Sequence, residues 1–265
     1  MAKTLITGCS TGFGRAAAVE LTKRGHEVIA TARRPETLDD LDVAGRLRLD
    51  VDDDASVAAA VAAAGPVDAL VNNAGFGMVG PVEKVPLAEA RRVLETNVLG
   101  TVRMIQAVLP QMRERGSGTI VNVTSLAGRV APPLGGVYAA TKWAVEGLSE
   151  ALHYEVGHFG VRVRVIEPGV FDTGFQANEP EHGIAEPPYD ELRRQWDASR
   201  DRLIGGPEPP GPEIVAAAIA DAVEAEEPRL RWPVGDDADM VLGARTTMDD
   251  ATFEATMRGV LDLTW

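Results

Sequence analysis

The chain has 265 residues, of which 45% are hydrophobic and 25% are charged, and its formal net charge is −14. This length suits one large domain or two small ones, and the composition is that of an ordinary globular protein. The negative charge argues against a nucleic-acid-binding face and against polybasic docking to a membrane, because both need clustered positive charge. We therefore expect neither nucleic acid nor a membrane among its partners.

The single cysteine and the N-terminal residues indicate the cellular compartment. Cys9 is the only cysteine, so no internal disulfide can form and a reducing compartment fits. The chain opens on a strand-like run without a signal-peptide pattern, and no apolar stretch is long enough to span a bilayer. These features predict a cytoplasmic protein, in which Cys9 is a small spacer in a turn; a redox role for its thiol is the alternative.

Apolar β-rich runs alternate with helical patterns as far as Thr173. Continuous apolar runs are typical of strands covered on both faces, and repeated strand–helix–strand units predict an α/β fold with a mostly parallel sheet. We expect Pro110 to bend or end the longest helix, because its ring cannot continue the hydrogen bonding. The predicted strands are residues 3–7, 27–31, 46–50, 69–72, 119–124, 161–167 and 229–234. The predicted helices are residues 12–24, 35–41, 54–64, 87–115, 137–159 and 212–225.

The pattern changes after Thr173. Residues 174–212 are rich in Pro, Gly and acidic residues, with Tyr189 and Trp196 on a short helix, and such a long connection is typical of a lid or a disordered segment. A polar tail ending in Trp265 is expected after the last strand. We find no internal repeat or interdomain linker, so residues 1–265 are predicted to form a single domain with a substrate loop at about 174–211.

Three glycines, Gly8, Gly12 and Gly14, lie where the first strand turns into the first helix. The first allows a tight turn, and the others let the backbone and the helix N-terminus approach a pyrophosphate. Their spacing differs from the commonest dinucleotide fingerprint, and glycines also serve plain turns. Their position after a strand and before a helix favours a dinucleotide site.

The second and third strands bear on the choice of cofactor. No acid lies between Val28 and Arg34, where a carboxylate would bind the ribose hydroxyls of NAD, whereas Arg33 would suit the phosphate of NADP. We therefore favour NADP(H), with NAD(H) as the alternative; Arg33 and Arg34 could also be solvated loop charges. Asp50 closes the third strand, where it could meet the adenine or cap the next helix.

Polar residues follow the fourth and fifth strands. The stretch from Asn72 to Gly75 offers amide side chains that can tie strand ends together and a glycine that admits a ligand. Asn97 lies inside a predicted helix, where asparagine is unfavourable and can mark a local bend. Ser125 follows the fifth strand, at the sheet edge where ligands bind, and could hydrogen-bond a substrate oxygen or simply cap a turn.

Tyr138 and Lys142 are separated by one helical turn. A phenol is a poor acid–base catalyst at neutral pH because its ordinary pKa is near 10. An ammonium group on the same helix face can favour the phenolate and lower that pKa. The pair therefore indicates proton transfer, although such spacing also occurs on solvated helix faces.

The ordered set of these motifs resembles the short-chain dehydrogenase/reductase family in its single-domain form. The resemblance covers residues 3–173 closely and residues 229–234 more loosely. It implies a Rossmann-type, doubly wound parallel sheet of seven strands in the order 3-2-1-4-5-6-7. The motifs are Gly8-xxx-Gly12-x-Gly14, Asn72-Asn73-Ala74-Gly75, Asn97, Ser125, Tyr138-xxx-Lys142 and Pro168-Gly169-xxx-Thr173.

The resemblance also implies residue roles. Tyr138 would give a proton to the carbonyl oxygen during reduction, and Ser125 would hold that oxygen. Lys142 would lower the pKa of Tyr138 and bind the nicotinamide ribose, and Asn97 would hold a water that links Lys142 to solvent. The cofactor contacts implied are Gly8, Ser10, Thr11, Gly12, Phe13, Gly14, Arg33, Asp50, Val51, Asn73, Ala74, Gly75, Tyr138, Lys142, Pro168, Gly169, Val170 and Thr173.

The expected substrate is a small hydrophobic ketone or aldehyde, or the corresponding alcohol, because apolar residues dominate the predicted substrate loop. The opening glycine turn and the run Ala30–Pro35 resemble the hydroxysteroid and retinol dehydrogenase-like branch. The alternative is that these side chains only pack the loop against the sheet. They are Phe175, Ile184, Pro187, Pro188, Tyr189, Leu192 and Trp196, joined by Met78, Leu134 and Val137.

Two other functions remain open at this point. One is a non-redox isomerase or tailoring enzyme with bound nicotinamide, and the other is an NADP-binding redox-sensing regulator. No metal site is expected, because the four histidines are scattered and no cluster has ligand spacing. By resemblance to the family, we expect a homodimer or homotetramer.

Overall fold

The predicted seven-stranded parallel sheet is confirmed. The computed structural model of the protein describes residues 1–175, 179–203 and 209–265. Every neighbouring pair of strands is parallel, and the order across the sheet is β3-β2-β1-β4-β5-β6-β7. The strands are β1 (Lys3–Ile6), β2 (Glu27–Ala32), β3 (Gly45–Arg48), β4 (Ala69–Asn72), β5 (Gly118–Val123), β6 (Val161–Pro168) and β7 (Arg231–Val234).

Helices cover both faces of this sheet. Leu5 packs in one apolar cluster and Ile6 in another, since successive strand residues point to opposite faces. This explains why the strands are continuously apolar. The helices are α1 (Gly12–Lys23), α2 (Asp54–Ala64), α3 (Leu87–Leu94), α4 (Gly100–Arg115), α5 (Gly136–Gly157), α6 (Asp190–Leu203), α7 (Glu213–Glu224), α8 (Asp236–Thr247) and α9 (Asp250–Leu261), with 3₁₀ turns at Pro35–Leu38 and Leu126–Gly128.

The predicted long helix over residues 87–115 is interrupted, but not at Pro110. A π-helical turn, Glu95–Leu99, separates α3 from α4. Pro110 lies inside α4, which continues to Arg115, so of the two effects expected of it, a bend or an end, the end was wrong. Val108 and Met112, on either side of it, are fully buried, and this packing offsets the cost of the missing hydrogen bond.

The expectation of a polar tail after β7 was also wrong. Residues 236–261 form α8 and α9, and Asp249 caps α9 by accepting the backbone N–H of Thr252 at 2.8 Å. Their apolar faces are short, so hydrophobic periodicity does not reveal them. The helix expected around Tyr189 and Trp196 is α6, which begins just after Tyr189. Residues 176–178 and 204–208 of the predicted substrate loop lie outside the described residues.

Across the described ranges, no helix combines the length and the apolar character needed to cross a bilayer.

Buried amide side chains tie β4, β5 and α5 together. Asn72 Nδ2 donates to Asn122 Oδ1 at 2.9 Å, and Asn122 Nδ2 donates to Ser149 Oγ at 2.9 Å. Ser149 Oγ in turn donates to the Val145 carbonyl at 2.6 Å, and Asn122 and Ser149 are fully buried. A buried polar group without a hydrogen-bond partner destabilises the folded state. This series of hydrogen bonds therefore fixes the position of α5 against the sheet.

Replacing the central amide should therefore destabilise the fold. Asn122→Ala leaves a donor of Asn72 and the Ser149 hydroxyl without their partner, and we expect the free energy of unfolding to fall by roughly 2–4 kcal/mol. Urea denaturation followed by circular dichroism measures this loss. Ser149→Ala is the control, because it removes only one end of this series of hydrogen bonds and should lower the free energy of unfolding by about half as much. If Asn122→Ala were as stable as the unmodified protein, Asn122 would not hold α5 to the sheet.

Candidate active site

The carboxyl ends of the strands open into a cavity of about 1110 Å³. This is the edge of an open parallel sheet where ligands bind. Gly14 and Asn97 lie behind its walls. The other predicted site residues all line it: Gly8, Ser10, Thr11, Gly12, Phe13, Arg33, Asp50, Val51, Asn73, Ala74, Gly75, Ser125, Tyr138, Lys142, Pro168, Gly169, Val170 and Thr173.

The glycine turn between β1 and α1 has a backbone that only glycine adopts readily. Gly8 and Gly12 have φ angles of +73° and +58°. Gly14 is needed for space, because a Cβ there would lie 2.4 Å from Asn73 Nδ2 and 2.5 Å from the Gly8 carbonyl oxygen. The side chain of Thr11 makes no capping hydrogen bond to the first amides of α1. Such a helix start suits a pyrophosphate.

The glycine turn is fastened to the end of β4. Thr7 Oγ1 accepts the backbone N–H groups of Asn73 and Ala74 at 3.0 and 2.9 Å. Asn73 Nδ2 donates to the carbonyl oxygens of Thr7 and Gly8 at 3.0 and 3.1 Å. The amide at this strand end therefore ties neighbouring strands together, as the sequence indicated.

Arg33 and Asp50 line the part of the cavity next to the ends of β2 and β3. Arg33 follows β2 directly and its side chain is exposed. Asp50 does not cap α2: that position belongs to Asp53, whose Oδ1 accepts the N–H groups of Ala55 and Ser56. Asp50 is thus left at the cavity wall, where it accepts the N–H of Asp52 at 3.2 Å.

Cys9 is fully buried beneath the glycine turn and its Sγ donates to the Ile6 carbonyl at 3.3 Å. Burial raises the pKa of its thiol to about 12. A thiol that holds its proton so firmly is a poor nucleophile, which agrees with a spacer role.

Ser125 and Tyr138 meet in the part of the cavity next to the end of β5. Ser125 lies just beyond β5, where its Oγ accepts the N–H of Ala127 at 3.1 Å and so caps a short 3₁₀ turn. The same side chain hydrogen-bonds to the Tyr138 hydroxyl, which partly offsets a rise in the tyrosine pKa. Ser125 therefore caps a turn, which was one of its two predicted roles, and the same hydroxyl also contacts Tyr138.

Burial shifts the pKa values of Tyr138 and Lys142 in opposite directions. Burial raises the pKa of Tyr138, and the negative charge of Glu179 raises it further. Burial lowers the pKa of Lys142 to about 8, although Glu146 opposes this. Lys142 Nζ donates to the Val123 carbonyl at 3.1 Å and lies 5.7 Å from the centre of the Tyr138 ring. Lys142 thus reaches the tyrosine, while Ser125 supplies the hydrogen bond that lowers its pKa.

Asn97 occupies the π-helical turn and is 3% exposed. Its Oδ1 accepts the N–H of Phe76, and its Nδ2 donates to the Phe76 carbonyl and to Thr141 Oγ1, all at 3.0 Å. Thr141 Oγ1 donates to the Tyr138 carbonyl at 2.7 Å. The unfavourable mid-helix asparagine therefore lies in a π-helical turn, and its side chain joins the loop after β4 to α5.

Buried charges brace α5 behind the cavity. Glu146 accepts a hydrogen bond from Thr124 Oγ1 at 2.6 Å and pairs with Arg231 at 3.0 Å. Glu167, at the end of β6, pairs with Arg129 at 3.2 Å, and burial together with the charge of Glu146 raises its pKa to about 7. This cluster joins α5, β6 and β7 directly beneath Pro168.

Sequence patterns did not indicate Asp237, which the structure places beneath the predicted nicotinamide contacts. Asp237 Oδ2 accepts the N–H of Val170 at 2.8 Å, and a Cβ on Gly169 would lie 2.0 Å from Oδ1. Burial raises the pKa of Asp237. The only sequence signal is a group of acids in the first turn of α8, which usually serves the helix dipole.

The C-terminal segment forms a cavity wall that the sequence also left unmarked. Gln195 on α6 holds it, because Oε1 accepts the N–H groups of Thr264 and Trp265 at 2.9 and 3.2 Å. Arg258 donates to the Trp265 carbonyl at 2.7 Å. The apolar part of this wall consists of Phe253, Met257, Leu261, Leu263 and Trp265.

The apolar residues predicted near the substrate divide into two groups. Met78, Phe175, Leu192 and Trp196 line the cavity. The others do not: Ile184 and Leu134 are buried, Val137 packs against Met78 and its neighbours, Pro187 and Pro188 are exposed, and Tyr189 contacts the Trp265 ring at 6.4 Å.

Within the described ranges, no group of three or more His, Cys, Asp or Glu side chains is arranged to hold a metal ion.

Residues 2–183 match the model of the short chain dehydrogenase family. The chain belongs to this family.

Two relatives of named activity are similar over most of their length. A 3-ketodihydrosphingosine reductase of Bacteroides thetaiotaomicron is 38% identical over 243 residues, which cover 87% of each protein. Human 17-beta-hydroxysteroid dehydrogenase type 1 is 37% identical over 254 residues, which cover 88% of this chain and 77% of the human protein.

Solved structures share the fold. A short-chain dehydrogenase from Streptomyces avermitilis is 38% identical with a TM-score of 0.80, and covers 97% of this chain and 98% of its own. A short chain dehydrogenase from Burkholderia cenocepacia in complex with NADP is 26% identical with a TM-score of 0.79 and 96% coverage of both chains. A 3-ketoacyl-(acyl-carrier-protein) reductase from Brucella melitensis, complexed with NADH, is 27% identical with a TM-score of 0.76, and covers 89% of this chain and 98% of its own.

The family and these relatives together establish the general activity. The protein is an NAD(P)-dependent oxidoreductase that acts on a small molecule.

Proposed function

We propose that the protein interconverts a hydrophobic ketone or aldehyde and the corresponding alcohol, with NADP(H) as the favoured cofactor and Tyr138 as the acid–base group. The main support for this proposal is the hydrogen bond between Ser125 and Tyr138, since both residues line the same cavity as the glycine turn. An acid–base pair beside a dinucleotide cradle suits hydride transfer coupled to proton transfer.

Residue roles follow from this arrangement. The nicotinamide would supply or accept the hydride when bound. Ser125 would hold the substrate oxygen, and the Tyr138 hydroxyl would give that oxygen its proton during reduction and take it back during oxidation. Lys142, within 5.7 Å of the tyrosine ring, would favour the phenolate and bind the nicotinamide ribose.

Asn97 is proposed as a positioning residue. Its contacts with Phe76 and Thr141 hold the π-helical turn against the start of α5. A water held there and linked to Lys142, as the family resemblance implies, would return the proton from solvent. The pyrophosphate would lie over the glycine turn, and Pro168, Gly169, Val170 and Thr173 would flank the nicotinamide.

The substrate is proposed to be apolar because apolar side chains from three elements surround the space beyond Tyr138. Phe175, Trp196, Met257 and Trp265 are among them. The names of two relatives refer to a keto lipid base and to a hydroxysteroid, which agrees with this class.

Other properties are proposed on more general grounds. Residues 1–265 would form one domain, and Trp143 and Tyr154 on α5 expose 49% and 78% of their surface, which supports a homodimer or homotetramer joined through the long helices.

A cytoplasmic location fits the single buried cysteine, Cys9.

Activity with a panel of apolar ketones and alcohols tests the proposal. We expect absorbance changes at the nicotinamide band with NADPH and a ketone, and with NADP and an alcohol, and reduced or oxidised products by mass spectrometry. Products that form without net oxidation or reduction would identify an isomerase instead. Cofactor binding without any turnover would favour a redox-sensing regulator.

Cofactor preference is tested at Arg33. Arg33→Ala should weaken the binding of NADPH by about tenfold or more while changing the binding of NADH little, because a charge-assisted bond to the additional phosphate is lost. Titration calorimetry measures both affinities. Arg34→Ala is the matched control, since Arg34 is the adjacent exposed arginine and does not line the cavity; equal losses for both cofactors would make Arg33 a bystander.

A further inference from the structure

Asp237 is the buried member of a group of acids in the first turn of α8. It is 8% exposed and lines the same cavity as Tyr138 and Lys142. Asp236 and Asp239, in the same turn, are exposed. An acid can stabilise the start of a helix from an exposed position, so the helix dipole does not explain why Asp237 is buried.

The order of the sheet brings Asp237 to the residues that follow β6. β7 pairs with β6 in parallel, and the N–H of Gly169 donates to the Val234 carbonyl at 2.9 Å. Only Gly235 separates the end of β7 from the start of α8. The first turn of α8 therefore lies against Gly169 and Val170.

Two glycines leave room for the Asp237 carboxylate. A Cβ on Gly169 would lie 2.0 Å from its Oδ1 and 2.3 Å from its Oδ2, and a Cβ on Gly235 would lie 2.7 Å from Oδ1. Between these two backbone segments, Oδ2 accepts the N–H of Val170 at 2.8 Å. A side chain confined this closely fixes the direction in which the Val170 amide points.

The surroundings of Asp237 decide what its charge can do. Burial raises its pKa, and the like charge of Asp236 raises it further, whereas hydrogen bonds from the N–H groups of Val170 and Ala238 lower it. Within the described residues, the carboxylate is thus stabilised by backbone amides rather than by an ion pair. Its negative charge is therefore left to act on whatever occupies this part of the cavity.

We infer that Asp237 positions the nicotinamide and favours its oxidised form. The carboxylate would hold the backbone of Gly169 and Val170 where these residues flank the ring. Its charge would favour the oxidised nicotinamide, which is positive, over the reduced nicotinamide, which is neutral. The ammonium of Lys142 acts in the opposite sense, and Asp237 would offset it. This inference rests on the proposed placement of the nicotinamide and concerns a residue outside the sequence motifs.

The binding of oxidised and reduced cofactor to the full-length protein tests this inference. Asp237→Asn keeps the shape and one oxygen acceptor for the Val170 N–H but removes the charge. We expect the dissociation constant for NADP to rise by about tenfold relative to that for NADPH, because only the oxidised ring loses a Coulomb attraction. Titration calorimetry measures both constants.

Asp236→Asn is the matched control. It makes the same charge change on an exposed residue of the same turn that does not line the cavity. Because solvent and salt screen an exposed charge, the ratio of the two dissociation constants should change by no more than about twofold.

A ligand without the ring separates positioning from a merely structural role. 2′-Phospho-ADP-ribose carries the adenine, the pyrophosphate and the additional phosphate but no nicotinamide. Its dissociation constant should change by no more than about twofold in Asp237→Asn and in Asp237→Ala. Asp237→Ala also removes the acceptor of the Val170 N–H, so it should show the same change of ratio together with weaker binding of both NADP and NADPH. Either variant alone gives the ratio, so the test survives if one of them fails to fold.

The outcomes distinguish this inference from the proposed function. Equal losses of NADP and NADPH affinity in folded Asp237→Asn, or an equal loss for 2′-phospho-ADP-ribose, would overturn the role of Asp237 and leave carbonyl reduction standing. If the unmodified protein prefers the cofactor without the phosphate, NAD, NADH and ADP-ribose replace the three ligands. An unmodified protein that binds both redox forms but reduces no ketone would overturn the proposed function, while the ratio would still decide the role of Asp237.

Discussion

The hydrogen bonds between Thr7, Gly8 and Asn73 are the constraint on which the rest of the site depends. They join the glycine turn after β1 to the exit of β4, at the centre of the sheet. Because Gly14 has no side chain, Asn73 can lie against the turn, and a Cβ there would overlap it. A single asparagine thereby sets the distance between the glycine turn, which is the proposed cofactor site, and the end of β4.

A second set of buried polar contacts sets the position of the tyrosine. Asn122 and Ser149 hold the middle of α5 to the sheet, and Asn97 holds its first turns through Thr141. Because these groups are buried, any position of α5 that left them without hydrogen-bond partners would be higher in free energy. The helix therefore has one preferred position. The proposed acid–base pair, Tyr138 and Lys142, is therefore positioned by side chains that take no part in the proposed proton transfer.

Hydrophobic periodicity was enough to predict the seven strands and the helices that cover the sheet. It worked because Leu5 and Ile6, like their neighbours, pack on opposite faces and leave an unbroken apolar run. It failed for α8 and α9, whose apolar faces are short, and at Pro110, where packing of Val108 and Met112 outweighs a local helix-breaking preference.

The candidate site likewise contains residues that sequence patterns predicted and residues that they missed. Residues at strand ends, such as Gly8, Asn73 and Ser125, were predictable because chain order alone brings the ends of parallel strands to one edge. Asp237, Gln195 and Trp265 reach the cavity from helices and from the C-terminal segment, so only three-dimensional packing brings them there. Glu179 lies at the cavity wall because Gly77, in another loop, has no side chain that would displace it. Hydrophobic periodicity does not predict such a contact between two loops.

The central claim is that Tyr138 transfers the proton at a site whose cofactor cradle is assembled independently of it. The most direct measurement compares turnover of an apolar ketone with NADPH affinity in Tyr138→Phe and in the unmodified protein. The account predicts that turnover falls by about a hundredfold or more while the dissociation constant for NADPH changes by no more than about threefold. Undiminished turnover in the folded variant would contradict it.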